Sequence, residues 1–240
     1  MFLYGRNSIL ERLKSNPKSI QKILLQENTA LPQIESLIKK NHLPAERLAA
    51  KQLARVKHSK DLQGVVAEVE QFEYTPFDDL LAGCGKDPLT LLFLDRINDP
   101  QNLGVIIRTA ACFGKFAVII PRFSACAVTE AVLHVASGGE NYIPVSLVTN
   151  LTNAIISAKK QGYWIVGSVL GEQAQALNQA TLPFPLGLVL GSEGPGIRPG
   201  LKKQLDAKIN IPMPGAELSF NVAMATVIFC YEIAKQRGVA

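Results

Sequence analysis

Three segments in the last two-thirds of the chain place polar, charged and glycine residues directly after apolar stretches. They are Asp95–Gly114, Gly191–Gly196 and Ile211–Asn221. The strand candidates before them are short and nearly continuous in apolar residues, as in strands buried on both faces. Because ligands bind where the strands of an open α/β sheet end, these three segments predict one shared binding site.

The first segment contains two residues that could act on a substrate. Asn102 is predicted to cap a helix or to lie in its first turn. Arg108 lies six residues further on, among apolar and small residues of the same helix. A guanidinium in such a place needs an anion or a carbonyl as its partner. The pattern is compatible with a salt bridge inside the domain and equally with a catalytic role.

The second segment is a glycine-rich turn with one carboxylate. Its glycines allow a ligand to approach the backbone closely, and Glu193 is predicted to be exposed in the crevice. The turn is not a Walker loop, because Gly196 is followed by Ile197 and Arg198 instead of Lys and Ser or Thr. It also lacks the G-x-G-x-x-G pattern of a dinucleotide-binding turn.

The third segment leads into the last helix. Ser219 or Asn221 is predicted to cap that helix, whose first turn offers unpaired N–H groups to a ligand. Met213, Leu218 and Phe220 are predicted either to form apolar walls for an adenine ring or a methylthio group, or to pack in the core.

The elements that position these segments follow an alternating pattern. The predicted strands from residue 89 onward are Leu89–Leu94, Phe116–Ile120, Ile143–Val148, Trp164–Ser168, Leu186–Leu190 and Lys208–Ile211. The predicted helices between and after them are Leu103–Phe113, Thr129–Ala136, Leu151–Gln161 and Val222–Arg237. This alternation predicts a mostly parallel, doubly wound α/β sheet.

The N-terminal part is predicted to be a smaller α/β unit. Its predicted helices are Asn7–Lys14, Pro32–Lys40 and Ala45–Leu53, and its predicted strands are Ile20–Leu25 and Val65–Val69. The proline- and glycine-containing stretch that follows has the composition of a linker. We therefore predict domains at residues 1–72 and 89–240, joined by a linker at residues 73–88.

Composition narrows the class of protein. The chain has 240 residues, of which 48% are hydrophobic and 19% charged, as in a globular protein with a substantial core. It has no apolar run of the ~20 residues that span a bilayer, and its start lacks a signal-peptide core, so we predict a cytoplasmic protein without a membrane partner. Four scattered cysteines and three dispersed histidines predict neither a disulfide framework nor a metal site.

The positive charge of the chain is concentrated in its N-terminal part. Residues 1–70 contain twelve Lys and Arg against seven Asp and Glu, whereas residues 71–240 contain thirteen of each. A polyanion such as RNA would be attracted to this excess, although a solvated helix face is the alternative. The predicted RNA-binding residues are Lys39, Lys40, Arg47, Lys51, Arg55, Lys57 and Lys60.

The three segments, written as DPQNLGVIIRTAACFG, LVLGSEGPGI and IPMPGAELSFNVAMA, resemble the SpoU/TrmH family of RNA ribose 2′-O-methyltransferases of the SPOUT superfamily. YGRNSILERL and LQGVVAEV also resemble the substrate-binding domain of the rRNA branch of this family, as does HVASGGENYIPVSLVTNL. That branch includes the enzyme that methylates a guanosine in the peptidyl-transferase loop of 23S rRNA.

The resemblance implies a fold, a cofactor and partners. The C-terminal α/β domain is expected to form a trefoil knot with a mostly parallel six-stranded sheet, and the N-terminal α/β domain is expected to be L30e-like and to bind RNA. The cofactor implied is S-adenosyl-L-methionine, without a metal. The family is typically dimeric, and the resemblance implies a homodimer whose site is completed across the interface.

The resemblance also implies roles for particular residues. The cofactor-binding residues are expected to be Gly191, Ile211, Phe220, Leu190, Met213, Leu218 and Ser168. The catalytic residues are expected to be Asn102, Arg108, Glu193, Ser219 and Asn221. Arg108 is expected to stabilise the developing alkoxide, because an arginine guanidinium does not give up its proton in proteins.

Three other functions remain possible on the residues alone. The first is a tRNA ribose 2′-O-methyltransferase of the same family. The second is a catalytically silent RNA-binding relative, against which the presence of Asn102 and Arg108 counts. The third is a nicotinamide-dependent enzyme on an ordinary Rossmann sheet, against which the missing glycine pattern counts.

Overall fold

A computed structural model describes residues 1–83, 87–171, 174–215 and 218–238 of the chain. The strands are β1 Phe2–Tyr4, β2 Ile20–Gln26, β3 Ala45–Leu48, β4 Val65–Val69, β5 Thr90–Asp95, β6 Phe116–Pro121, β7 Val145–Val148, β8 Trp164–Ser168, β9 Gln175–Ala176, β10 Leu186–Gly191 and β11 Ala207–Asn210. The α-helices are α1 Arg6–Ser15, α2 Pro32–Lys40, α3 Ala50–Val56, α4 Phe77–Ala82, α5 Pro100–Phe113, α6 Glu130–Ala136, α7 Leu151–Lys160, α8 Pro199–Lys202 and α9 Val222–Gln236.

The C-terminal sheet has the strand order β7-β6-β5-β10-β8-β11-β9, and all its neighbouring strands are parallel. The predicted mostly parallel α/β sheet is therefore confirmed. The predicted number of six strands was wrong, because the two-residue β9 adds a seventh strand at the edge. So short a strand has no periodicity that a sequence pattern could detect. The trefoil knot stays a prediction.

Helices cover both faces of this sheet. Every residue of β5 and of β6 is buried, as the continuous apolar composition predicts. Because side chains alternate along a strand, Leu92 and Leu94 pack with α5, α6 and α9, whereas Leu91 and Phe93 pack with α4, α7 and α8. The carboxyl edge of the sheet is left for the polar segments.

The N-terminal unit is built on a second sheet, of four strands in the order β1-β4-β2-β3. The pairs β1–β4 and β2–β4 are antiparallel, and β2–β3 is parallel. The predicted helix Ala45–Leu53 was wrong. Ala45–Leu48 pairs with β2 as an edge strand and only Ala50–Val56 is helical, because the hydrogen bonds offered by β2 outweigh local helix propensity.

The predicted linker packs against the C-terminal sheet and is partly helical. Helix α4 lies inside it, and Phe77 makes an edge-on contact with Phe93, with 6.2 Å between ring centroids. The Thr75 amide also donates to the Val145 carbonyl oxygen over 2.9 Å. Composition alone indicated a turn-rich segment and could not reveal these packing partners.

The cysteines that the structure describes are unpaired. Cys112 is exposed, Cys126 is half-buried and Cys230 is buried. Burial raises the pKa of Cys230 to about 12, so its thiol stays protonated at neutral pH. The fourth cysteine, Cys84, lies outside the described residues.

Two kinds of feature are absent from the described ranges. No helix there is both long and apolar enough to cross a membrane. No group of three or more His, Cys, Asp and Glu side chains in those ranges is placed to hold a metal ion.

The N-terminal unit is joined to the C-terminal unit by polar contacts along α6 and the turn after it. The Arg12 guanidinium lies 3.3 Å from a Glu140 carboxylate oxygen, and the Glu140 side chain is fully buried. Lys57 pairs with Glu130 at the start of α6. Because a buried ion pair needs a fixed geometry, the contact of Arg12 with Glu140 fixes how the units meet.

The interface should make stability depend on pH in a particular direction. Burial raises the pKa of Glu140 above its ordinary value of 4.5, and hydrogen bonds and the Arg12 charge oppose that rise. A carboxyl whose pKa is higher in the folded chain than in the unfolded chain stabilises the folded chain. This contribution is complete below the ordinary pKa, and it is lost as the pH rises through the raised pKa of the folded chain.

We therefore expect the free energy of unfolding of the natural protein, minus that of a Glu140→Gln variant, to fall as the pH rises above 4.5. Urea denaturation across the weakly acidic range measures this difference. Glu68→Gln, at an exposed position of β4, serves as the control and should give no such trend. A difference that grows with pH would contradict the assignment.

Candidate active site

The three predicted segments meet through a hydrogen-bonded cluster of Asn102, Glu193 and Asn221. The Asn221 side-chain amide donates to Glu193 Oε1 over 2.6 Å and to Asn102 Oδ1 over 2.9 Å. The Asn102 amide also donates to Glu193 Oε1, over 3.2 Å. Residues that are 91 and 119 positions apart in the chain are thus in direct contact. We call this group the polar cluster.

Helix starts and a strand end position the polar cluster. Asn221 is the N-cap of α9, and its Oδ1 accepts the Ala223 amide over 2.9 Å. Asp99 caps α5 by accepting the Gln101 amide, so Asn102 lies in the first helical turn. Of the two predicted alternatives for Asn102, the first-turn position is therefore correct, and of the two candidates for the α9 cap, Asn221 holds the position.

A cavity of about 250 Å³ lies beside the polar cluster. Its lining residues come from the carboxyl ends of strands β8, β10 and β11 and from the segment before α9. Six of the seven predicted cofactor-binding residues line it, namely Ser168, Leu190, Gly191, Ile211, Met213 and Phe220, as do Glu193 and Ser219. Leu218 is 76% exposed and is not among the lining residues.

Gly191 shapes this cavity because no side chain fits at its position. A Cβ there would lie 2.2 Å from the Gly196 carbonyl carbon and 2.4 Å from the Ile197 nitrogen. Both atoms belong to the backbone and cannot rotate away. The glycine therefore lets residues 191–197 fold back tightly, so that the turn itself forms one wall of the cavity.

An ion pair between a buried carboxylate and a partly exposed arginine, which the sequence pattern did not predict, supports the same turn. Asp95, at the end of β5, has a fully buried carboxylate that accepts from the Arg198 Nε over 2.7 Å and from the Arg198 backbone amide over 2.8 Å. Arg96 also donates to the Gly196 carbonyl oxygen over 3.1 Å. The sequence contained one signal for this pair, namely the charged Asp95 at the end of an apolar strand. A carboxylate buried there needs a hydrogen-bonding or cationic partner.

Arg108 lies away from the polar cluster of its own chain. Six residues at about 100° each place it on a different side of α5 from Asn102. It is exposed and lines a separate crevice of about 300 Å³ together with Glu11, Gly139 and Tyr142. Among the residues that the structure describes, Arg108 has no hydrogen-bond or ion-pair partner, so its charge is available to a group outside this chain.

The predicted RNA-binding residues do not form one surface. Lys39 and Lys40 end α2, whereas Lys51 and Arg55 lie on α3. Arg47 pairs with Glu35 over 2.8 Å and Lys57 pairs with Glu130, so both are engaged within the chain. The remaining residue, Lys60, is exposed after α3.

Comparison with known proteins agrees with this arrangement. Residues 89–231 match the SpoU rRNA Methylase family, and residues 2–75 match the domain described as RNA 2′-O ribose methyltransferase substrate binding. The first match alone includes every residue of the polar cluster. The chain therefore belongs to the SpoU rRNA methylase family.

Relatives match over most of the chain. A putative TrmH family tRNA/rRNA methyltransferase of Staphylococcus saprophyticus is 36% identical over 98% of this chain and 96% of its own length. The 23S rRNA (guanosine-2′-O-)-methyltransferase RlmB of Pseudomonas putida is 34% identical over 99% of this chain and 97% of its own length. An uncharacterized tRNA/rRNA methyltransferase of Synechocystis is 40% identical over 78% of this chain, which spans about half (49%) of that relative.

Solved structures share the fold. The SpoU methyltransferase AviRb of Streptomyces viridochromogenes, crystallised with AdoMet, has a TM-score of 0.82 at 20% identity, covering 100% of this chain and 91% of its own. A putative RNA methyltransferase of the TrmH family from Porphyromonas gingivalis has a TM-score of 0.74 at 25% identity, and the match covers 96% of this chain and 88% of that structure's chain.

Proposed function

We propose that this chain transfers the methyl group of S-adenosyl-L-methionine to a ribose 2′-hydroxyl of RNA, with a guanosine of 23S rRNA as the target. The observation that carries the proposal is the polar cluster, which brings Asn102, Glu193 and Asn221 together at the edge of a cavity. The names of the relatives, RlmB of Pseudomonas putida above all, support the same reaction and target.

The residues of the cavity suit this cofactor. Leu190, Ile211 and Met213 provide apolar walls for an adenine ring and a thioether-like chain, and the tight turn at Gly191 lets backbone groups approach a ligand. The Glu193 carboxylate on the lining is complementary to a sulfonium charge. When bound, S-adenosylmethionine supplies a methyl group that a nucleophile can attack.

The polar cluster would position the ribose. Asn102 and Asn221 hold the Glu193 carboxylate through Oε1. No described residue donates to Oε2, which would accept a hydrogen bond from a ribose hydroxyl. Holding the attacking oxygen in line with the methyl group supplies much of the acceleration in a transfer of this kind. Ser219, on the cavity lining, would shape the third segment around the ligand.

We further propose a homodimer in which Arg108 of one subunit serves the cavity of the other. Met224, Val227 and Tyr231 form an apolar stripe on α9 and are 59%, 37% and 54% exposed. Tyr231 also contacts Phe113 of α5, the helix that carries Arg108, with 6.4 Å between ring centroids. A second copy packed on this stripe would bury it and bring α5 of each subunit to its mate.

In the other subunit's cavity, the guanidinium would stabilise the negative charge that develops on the ribose 2′-oxygen. It would not act as a base, because an arginine keeps its proton in proteins. Residues 1–72 would bind the RNA and residues 89–240 would hold the site, with residues 73–88 joining them. We place this activity in the cytoplasm.

The test uses purified protein, labelled S-adenosylmethionine, and unmodified transcripts of 23S rRNA and tRNA. We expect label in the 23S rRNA, on the ribose of a guanosine. The phosphodiester that follows this ribose should resist alkaline hydrolysis, because a methylated 2′-oxygen cannot attack it. Transfer to tRNA alone would favour the tRNA enzyme of the same family. Binding of RNA without transfer to either transcript would favour a silent relative.

A further inference from the structure

We infer that RNA reaches the site along the α3 side of the N-terminal sheet, where Lys51, Arg55 and Lys60 form what we call the α3 basic face. This inference deepens the proposed function and rests on its RNA substrate. The competing surface is the pair Lys39 and Lys40 at the end of α2, which we call the α2 basic pair. The basic stretch of the sequence contains both sets, and the fold separates them.

The two sets lie on opposite faces of the four-stranded sheet. Ile34 and Ile38 of α2 pack with alternate residues of the strands, including Ile23 and Val65. The residues next to these in the chain, Leu24 and Val66, pack instead with Leu53 of α3. Since successive side chains of a strand point to opposite faces, α2 and α3 cover different sides.

The α3 basic face presents unpaired charge. Lys51 and Arg55 are one helical turn apart, both are exposed, and Leu53 between them points into the core. Among the described residues, none of the three cations of this face has an ion-pair partner. Cations without internal partners are free to replace the counterions of an RNA backbone.

A contact of α3 with the C-terminal unit places this face toward the carboxyl edge of the C-terminal sheet. Lys57, at the end of α3, pairs with Glu130, the first residue of α6. Helix α6 follows β6, so its first turn lies toward the carboxyl edge of the sheet, where the polar cluster also lies.

The α2 basic pair lies on the side of the N-terminal unit that faces the opposite edge of the C-terminal sheet. Helix α2 packs on α1, and α1 contacts the turn at residues 138–141 through Arg12 and Glu140. That turn leads from the end of α6 into β7, at the opposite edge of the sheet. Within one subunit, an RNA strand bound along the α3 basic face can therefore continue to the polar cluster, whereas one bound at the α2 basic pair starts from the far edge.

The experiment compares two variants that remove equal charge from exposed helix positions, Lys51→Ala/Arg55→Ala and Lys39→Ala/Lys40→Ala, in the full-length protein. Binding of a labelled fragment of 23S rRNA is followed by fluorescence anisotropy across a series of salt concentrations. We expect the α3 variant to bind about tenfold or more weakly, with a salt slope shallower by about 1–2, since each lost phosphate contact lowers the slope by about 0.7–0.9. The α2 variant should stay within about twofold of the natural protein.

An equal or larger loss in the α2 variant, or an unchanged salt slope in the α3 variant, would overturn the inference. Binding of S-adenosylmethionine, measured by calorimetry, checks that both variants are folded. The proposed function is judged separately, by methyl transfer with the natural protein. A natural protein that binds the rRNA through the α3 basic face without methylating it would leave this inference standing and refute the proposed function.

Discussion

Replacing Arg108 with alanine is expected to lower the rate of methyl transfer by about 10²–10³-fold and to leave S-adenosylmethionine binding unchanged. The guanidinium is exposed, and its removal breaks no hydrogen bond or ion pair among the described residues. It also lies outside the lining of the cavity beside the polar cluster. Single-turnover kinetics and calorimetric titration of the cofactor measure the two quantities.

Arg108→Lys is the matched control, because it keeps the charge and loses the planar fork of donors. It should recover part of the rate. Undiminished transfer by the alanine variant would refute the role of Arg108, and a loss of cofactor binding in step with activity would mean that the arginine acts on the fold or on the cavity.

The same variant tests whether the site is shared between subunits. A heterodimer that carries Arg108→Ala in one subunit and Asn221→Ala in the other can be isolated with two different affinity tags. If Arg108 acts on the cavity of its mate, one of the two sites is intact and about half of the natural activity returns. If Arg108 acts within its own chain, both sites are damaged and the heterodimer is as inactive as either parent.

Replacing Gly191 with alanine is expected to abolish cofactor binding at concentrations that saturate the natural protein. The added methyl group would lie 2.2 Å from the Gly196 carbonyl carbon, so residues 191–197 must move and the cavity wall must move with them. Overpacking of this kind costs about 1–3 kcal/mol of stability as well. Calorimetric titration of the cofactor and the thermal unfolding midpoint measure both effects.

Gly200→Ala is the control for this experiment. Gly200 lies in α8, and a Cβ at its position would meet nothing within 4 Å. Alanine is also the better helix former, so this variant should bind the cofactor normally and unfold no earlier than the natural protein. Normal cofactor binding by the Gly191 variant would contradict the proposal that this cavity is the cofactor site.

The sequence was a good guide to the strands that carry the site. Trp164–Ser168 was predicted with the bounds that the structure has. β6 and β10 differ from their predictions by one residue at one end, and β5 differs by one residue at each end. These strands are buried on both faces, so their apolar runs are continuous and end where the polar segments begin. That regularity is why strand ends could be found from the residues alone.

Features that depend on long-range contacts were not predictable in this way. Ala45–Leu48 became a strand because β2 offered it a partner, and a local pattern contains no information about that partner. The pairing of Asp95 with Arg198 joins residues 103 positions apart. The position of Arg108 away from the polar cluster follows from helix geometry, but its proposed action on a second subunit needs the surface of α9 as well.

The most direct test of the account is to follow the methyl group itself. The protein is incubated with S-adenosylmethionine that has a deuterated methyl group and with unmodified 23S rRNA, and the RNA is digested to nucleosides for mass spectrometry. We predict that the deuterated methyl group is found on the ribose of guanosine, as 2′-O-methylguanosine, and that Arg108→Ala forms this product about 10²–10³-fold more slowly. A deuterated methyl group on a base, or none on any nucleoside while the natural protein binds both cofactor and RNA, would contradict the account.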